Sequence, residues 1–314
     1  MTKTINLGVL GIDHGHIFDM LDEMLKEGCS CNYFWTQGSP LTLDEFKKKY
    51  PQIKRVDNKS DILNDDTIDM ILISSIPKDR ANLSIDAMKA GKDVMVDKPG
   101  CTTLEQLNNL KQTVKETGKI WSINFSERFH VAAVTKAEEL VAEGKIGKVK
   151  QTIGTGPHRQ GNYERPDWFY DRDSYGGIIT DIGSHQIHQF LVFTNSNEAK
   201  VNHALVENTT RKEFAGFQDF GEVNLTGNGG HGYVRLDWFT PDALPTWGDG
   251  RLFILGDKGF IEIRKYTDLA KSEKGNKSVS YTHLRAHETL RYLVCRRLRV
   301  KKRGGGGGGG GGGG

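Results

Sequence analysis

Residues 68–99 begin Ile68-Asp-Met70-Ile-Leu-Ile73-Ser74-Ser75-Ile76-Pro77 and end Ala90-Gly91-Lys92-Asp93-Val94-Met95-Val96-Asp97-Lys98-Pro99. Two short apolar runs, Met70–Ile73 and Asp93–Val96, enclose a stretch in which Leu83, Ala87 and Ala90 recur at helical spacing. Strand, amphipathic helix, strand is the pattern of a parallel βαβ unit. Working outward, Ile5–Leu10, Asn32–Trp35 and Ile120–Ile123 read as further strands. Ile17, Met20, Leu21, Met24 and Leu25 mark one intervening helix, and Leu104, Leu107, Leu110 and Val114 another. Right-handed crossovers then predict a doubly wound parallel sheet over residues 1–124, with helices on both faces.

After Phe129 the texture changes. A helix over Val131–Glu143 ends at Gly144, a strand starts near Val149, and a second helix starts within Gly176–His185 and runs to Phe193. Strand-like runs follow at Lys200–Val206, Gly221–Leu225, Tyr233–Phe239, Leu252–Leu255 and Phe260–Arg264. Residues 125–278 are therefore expected to form an α+β domain on a mostly antiparallel sheet. The α/β class of the whole follows from this pairing of domains.

The chain has 314 residues, 43 Lys+Arg against 40 Asp+Glu, and four Cys. Residues 279–314 hold eight of those cations, a single acid (Glu288) and eleven terminal glycines. They resemble a translated sequencing adapter read through into poly-G, so this segment is expected to be a non-native, disordered tail with the natural C-terminus missing. Without its net +7, residues 1–278 carry about −4, which speaks against a nucleic-acid partner. No run of 18 apolar residues and no secretory h-region occurs, so no membrane partner is expected. Cys29 and Cys31 are too close for zinc-knuckle spacing and read as reduced thiols of a cytoplasmic protein.

The turn after the first strand reads Gly8-Val-Leu-Gly11-Ile-Asp13-His14-Gly15-His16. A dinucleotide fingerprint wants glycine at 11, 13 and 16, and only Gly11 matches. Asp13 would repel a phosphate aimed at it and is expected to cap the helix. His14 and His16 are candidate phosphate donors. The second strand ends Tyr33-Phe-Trp-Thr36-Gln37-Gly38-Ser39, with no acid for a ribose, so NAD and NADP stay equally open. Lys98 follows a buried-looking strand at the sheet edge where such folds bind ligands, and can stabilise a developing alkoxide. Asp181 and His185 are four apart, a spacing that lets a carboxylate orient an imidazole on one helix face. Asp181, His185 and His188 also read as a DxxxHxxH cluster, but it lacks a fourth donor and a nearby Lys98 would repel a cation, so no metal is expected.

The 68–99 stretch, with Asp97-Lys98-Pro99 after a helix ending Ala-Gly-Lys, resembles the glucose–fructose oxidoreductase / inositol dehydrogenase / MocA (Gfo/Idh/MocA) family. So do Asn124-Phe-Ser-Glu-Arg128-Phe129, Arg165-Pro-Asp-Trp168-Phe169 and Gly176-Gly177-Ile-Ile-Thr-Asp181-Ile-Gly183-Ser-His185, in the same order. The resemblance covers about residues 4–270. It departs from the family at the glycine turn, at Arg80 where His is common, and at His188 where an acid usually stands. It implies a Rossmann-type NAD(P)-binding domain followed by a substrate and oligomerisation domain, forming a homo-oligomer in the full-length protein. It implies hydride transfer between a sugar or cyclitol hydroxyl and nicotinamide, with His185 as proton acceptor and Asp181 and Lys98 positioning the hydroxyl. Cofactor contacts are expected at Gly11, Asp13, His14, Gly15, His16, Ser74, Ser75, Ile76, Asp97 and Lys98. Substrate contacts are expected at Arg128, His158, Arg159, Trp168 and His188. A redox-neutral NAD-dependent glycoside hydrolase or lyase, and a non-catalytic nucleotide- or sugar-binding protein, are the alternatives.

Overall fold

The computed structural model describes residues 4–161, 164–266 and the backbone of 279–284. Six strands form the first sheet: β1 (Asn6–Leu10), β2 (Ser30–Trp35), β3 (Lys54–Arg55), β4 (Met70–Ile73), β5 (Asp93–Asp97) and β6 (Trp121–Asn124). All pair in parallel, in the order β3-β2-β1-β4-β5-β6. The near-continuous apolar run of β4 is the mark of a strand covered on both faces. Leu72 joins the core around Leu21, Phe34 and Phe46 on one side, while Ile71 and Ile73 join Ala87, Val94 and Leu110 on the other. The helix His16–Lys26 covers the first face; Pro77–Lys89 and Leu104–Thr117 cover the second. The sequence reading misses the two-residue strand β3 and the helix Leu43–Lys49, both too short to show a period.

The strand order reverses between β1 and β4, the topological switch point at which such sheets bind ligands. The turns Gly11–Gly15, Ser74–Pro77 and Asp97–Gly100 all lie at that carboxyl edge.

The second sheet comprises β7 (Val149–Pro157), β8 (Ala199–Glu207), β9 (Phe220–Gly227), β10 (His231–Asp237), β11 (Arg251–Gly256), β12 (Gly259–Arg264) and β13 (Val279–Leu284). Their order is β13-β12-β11-β7-β10-β9-β8, and every pair is antiparallel except β7 with β10. The helix Gly183–Phe193 lies against β7 and β10, and at Gly156 a Cβ would sit 2.8 Å from the Gln186 amide nitrogen, so only glycine lets the helix approach. The β13 strand corrects the expectation of a wholly disordered tail. An open sheet edge offers unpaired N–H and C=O groups, and Val279, Tyr281 and Thr282 favour extended backbone. Residues 285–314 lie outside the described residues. No helix among the described residues is long and apolar enough to cross a membrane.

Candidate active site

Two cavities open at the switch point. One, of about 490 Å³, lies between the two sheets and is lined by Lys98 from the end of β5 and by Asp181 and His185 from the second domain. The other, of about 550 Å³, runs along the first domain past Gly11, Trp35, Gln37, Ser75 and Ile76.

Gly11 holds φ +79°, and a Cβ there would stand 2.4 Å from the Cβ of Ser75. Glycine alone fits this crossing of the two switch-point turns. The following helix has Gly15 at its N-cap with no side-chain hydrogen bond, so Asp13 does not cap it as expected. Burial instead pushes the Asp13 carboxyl up to about 6, against hydrogen bonds from the backbone N–H groups of Asp13 and Ile76 and the pull of Arg80.

Asp97 and Ser74 are 0% exposed and line neither cavity, which corrects their reading as cofactor contacts. Asp97 is a structural hub. Its carboxylate lies 2.8 Å from His16 Nδ1, 3.4 Å from His14 Nδ1 and 2.9 Å from the Arg80 guanidinium. Burial opposes its charge, but these neighbours outweigh it and hold the carboxyl well below the usual range. His14, half-buried beside His16, is held neutral, with desolvation first and the His16 charge next keeping it well below the ordinary imidazole value. His14, His16 and Asp97 converge as three potential metal donors, yet the Arg80 cation already occupies the carboxylate. Arg80 also donates to the carbonyls of Ser75 (2.8 Å), Lys98 and Pro99 (3.3 Å), tying the β4 turn to the β5 turn.

That tie fixes the backbone of Lys98, a residue only 5% exposed. Lys98 Nζ reaches across the domain boundary to Asp181, 2.8 Å from Oδ1 and 3.3 Å from its carbonyl. The carboxylate therefore holds the lysine and not the imidazole, a correction to the expected Asp181–His185 couple. A break at Ile182 separates the short helix carrying Asp181 from the helix carrying His185. His185 is 2% exposed, and its Nδ1 has no hydrogen-bond partner among the described residues. Burial, opposed by Glu127 and aided by Lys98, keeps its pKa well below 6.5 and the ring neutral.

The remaining substrate candidates divide. His158 and Trp168 line the cavity, His158 packing edge-on to Trp238 and Trp247 with centroids 5.3 and 5.9 Å away. Arg159 turns away to Asp242 and the carbonyls of Leu244 and Thr246. Arg128 pairs with Glu138 at 2.6 Å and lies 3.3 Å from His188 Nε2. His188 stacks on Phe125 at 4.1 Å, and burial together with Arg128 lowers it to about 4. Arg128, Arg159 and His188 do not line this cavity, and their expected substrate contacts are not formed there. Arg128 and Arg159 are engaged in local ion pairs, while His188 packs on Phe125 with its Nδ1 left without a partner among the described residues.

Sequence reasoning missed Glu127, a cavity residue whose carboxylate contacts Lys265 and accepts from Gln186 at 2.9 Å. Burial would raise it, but Lys265 brings it down to about 2. It stands beside Arg128 in a motif already quoted, but nothing in the sequence pairs it with a lysine 138 positions later. Trp238 and Trp247 also line the cavity.

A switch-point cleft closed by a lysine from one domain and a carboxylate and imidazole from the other defines a two-domain, Rossmann-type oxidoreductase architecture. The chain belongs to the Gfo/Idh/MocA oxidoreductase family. Residues 37–125 match the oxidoreductase family's NAD-binding Rossmann fold, and residues 134–262 match the Gfo/Idh/MocA C-terminal domain. A solved structure from Erwinia carotovora atroseptica, described no further than as an oxidoreductase, is 42% identical with a TM-score of 0.86, covering 90% of this chain and 83% of that one. The scyllo-inositol 2-dehydrogenase (NADP(+)) of Bacillus subtilis is 25% identical over 60% of this chain and 51% of its own length. The myo-inositol 2-dehydrogenase of Thermotoga maritima is 25% identical over 89% of this chain and 80% of its own. The chain spans about half or less of the first curated relatives it matches.

Proposed function

We propose that this protein is an NAD(P)-dependent oxidoreductase transferring a hydride between a sugar or cyclitol hydroxyl and nicotinamide. The observation that carries the reading is the 2.8 Å contact between Lys98 and Asp181 across the domain boundary, in one cavity with the neutral, buried His185. The residues fit a dinucleotide. Gly11 presents a bare backbone at the switch point, and Ser75 and Ile76 line the same cavity. When bound, nicotinamide supplies the carbon that takes or gives the hydride.

The chain's own residues supply geometry and charge. Lys98 directs an ammonium group at the reacting oxygen and stabilises alkoxide character as it develops, while Asp181 fixes that ammonium in place. His185, kept neutral by burial, accepts the hydroxyl proton on its imidazole. Trp168, Trp238 and Trp247 offer apolar walls to the C–H faces of a polyol, and His158 a polar contact. The names of the inositol dehydrogenase relatives support the substrate class. The free thiols among the described residues, Cys29, Cys31 and Cys101, support a reducing, cytoplasmic setting. Exposed Val201 and Leu205 on the edge strand β8 support a homo-oligomer.

The test is net formation of reduced nicotinamide when the protein is incubated with NAD+ or NADP+ and a panel of sugars and cyclitols. Tight cofactor binding with no net reduction for any of them would move the assignment to redox-neutral chemistry.

A further inference from the structure

Asp13 is the one residue common to the linings of the two cavities. It stands at the neck between them, two residues after Gly11, on the turn that leads into the helix starting at His16. A dinucleotide occupying both cavities must thread this neck with its diphosphate. In a glycine fingerprint the corresponding position is bare so that backbone can approach those phosphates. Here a carboxyl group fills it.

We propose that Asp13 meets the diphosphate as a protonated carboxyl, donating a hydrogen bond to a phosphate oxygen, so that each dinucleotide bound carries one proton into the site. The inference rests on the dinucleotide reading above.

The surroundings favour the neutral acid. Its own turn contributes His14 and His16; the helix Pro77–Lys89 contributes Lys78, Asp79 and Arg80; Lys59 stands across one cavity and Lys98 across the other. Three of the cations around Asp13 are already engaged, Arg80 with Asp97 at 2.9 Å, Lys59 with Asp86 at 2.7 Å and Lys98 with Asp181 at 2.8 Å, which leaves Lys78 on the rim of one cavity. Asp79 raises the cost of a second negative charge. With burial these factors bring the free carboxyl to about 6, where protonation is within reach of a bound anion. An ionised Asp13 would stand directly against the diphosphate, and a carboxyl proton converts that repulsion into a charge-assisted hydrogen bond.

The experiment is titration calorimetry of the full chain with NAD+, whose diphosphate does not titrate in the range, from pH 6 to pH 8 in buffers of different ionisation enthalpy. If only the protonated form binds, the affinity falls about fifty-fold from pH 6 to pH 8, and about one proton is taken up per NAD+ at the upper end. Asp13→Asn, which keeps a hydrogen-bond donor and cannot ionise, is expected to bind with one affinity throughout, at pH 8 at least as tightly as the parent at pH 6. A parent affinity that is flat with pH, or with no proton uptake, overturns the proposal even if Asp13→Asn fails to fold. So does a slope that survives in Asp13→Asn. If neither NAD+ nor NADP+ binds at any pH, the dinucleotide reading falls and this inference with it; flat but tight binding removes the inference alone.

Discussion

Replacing Arg80 with Met keeps the long stem packed and removes the guanidinium. The parent side chain is fully buried, paired to Asp97 at 2.9 Å and donating to the carbonyls of Ser75, Lys98 and Pro99. Breaking a buried ion pair from one side costs about 3–5 kcal/mol, because the surviving charge stays buried without its counterion. Here His16 remains 2.8 Å from Asp97 and Ser74 Oγ 3.5 Å, so the cost falls at the low end, about 3 kcal/mol. For a chain of this size that lowers Tm by roughly 6–12 °C.

The pH dependence has a definite sign. In the parent, Asp97 is held below its unfolded value, so its contribution is complete above about pH 4 and is lost as pH falls through the lower folded value. In Arg80→Met the carboxyl titrates higher, and protonation relieves the penalty. The gap between variant and parent should therefore be widest at pH 7 and shrink by pH 4.5. Urea unfolding followed by fluorescence and circular dichroism at both pH values reads this directly. Adding Asp97→Asn should recover at least about 1 kcal/mol relative to additivity. A variant within about 1 kcal/mol of the parent at pH 7, or a deficit unchanged at pH 4.5, would refute the account of Arg80 as the counterion of Asp97.

Lys98→Met is expected to lower kcat/KM by about 10²–10³-fold while NAD+ affinity by calorimetry stays within a few-fold, since its Nζ faces the substrate cavity; an unchanged turnover number removes its role. At saturating cofactor, the acid limb of kcat/KM for the polyol should lie below the ordinary imidazole range, because burial keeps His185 neutral there, and His185→Gln should abolish the limb. A limb centred near 6.5 in the parent contradicts that placement. Gly11→Ala should destabilise by about 2–4 kcal/mol, combining a left-handed backbone with a Cβ 2.4 Å from Ser75, as read by chemical denaturation; a loss under about 0.5 kcal/mol means the two turns separate easily.

The fold was legible because both domains advertise themselves through period. Apolar runs as short as Met70–Ile73 were enough, since a strand buried on both faces needs no alternation to be noticed. Lys54–Arg55 escaped because two polar residues have no period to detect. The site was legible in its members and not in its pairings. Lys98, Asp181 and His185 do share one cavity. Spacing alone, however, assigned Asp181 to the imidazole four residues on, when the cation from the other domain claims it.

The same limitation produced the other reassignments, and it has one physical cause. A sequence displays which residues carry charge but not which charges meet, and at a domain boundary the partners lie 80 or more positions apart, as Lys98 and Asp181 do. Asp97 looked like a cofactor contact because it precedes Lys98. It is instead the anion that holds His14, His16 and Arg80 together, and Arg80 in turn sets the carbonyl of Lys98. Lys98 is thus placed from two directions, its backbone by a buried arginine of the first domain and its ammonium by an aspartate of the second. Arg80 stands where the family commonly has histidine, so this chain fixes the lysine backbone with a permanent cation. The geometry of the Lys98 turn should accordingly stay constant across the pH range in which a histidine at the same place would gain or lose its charge.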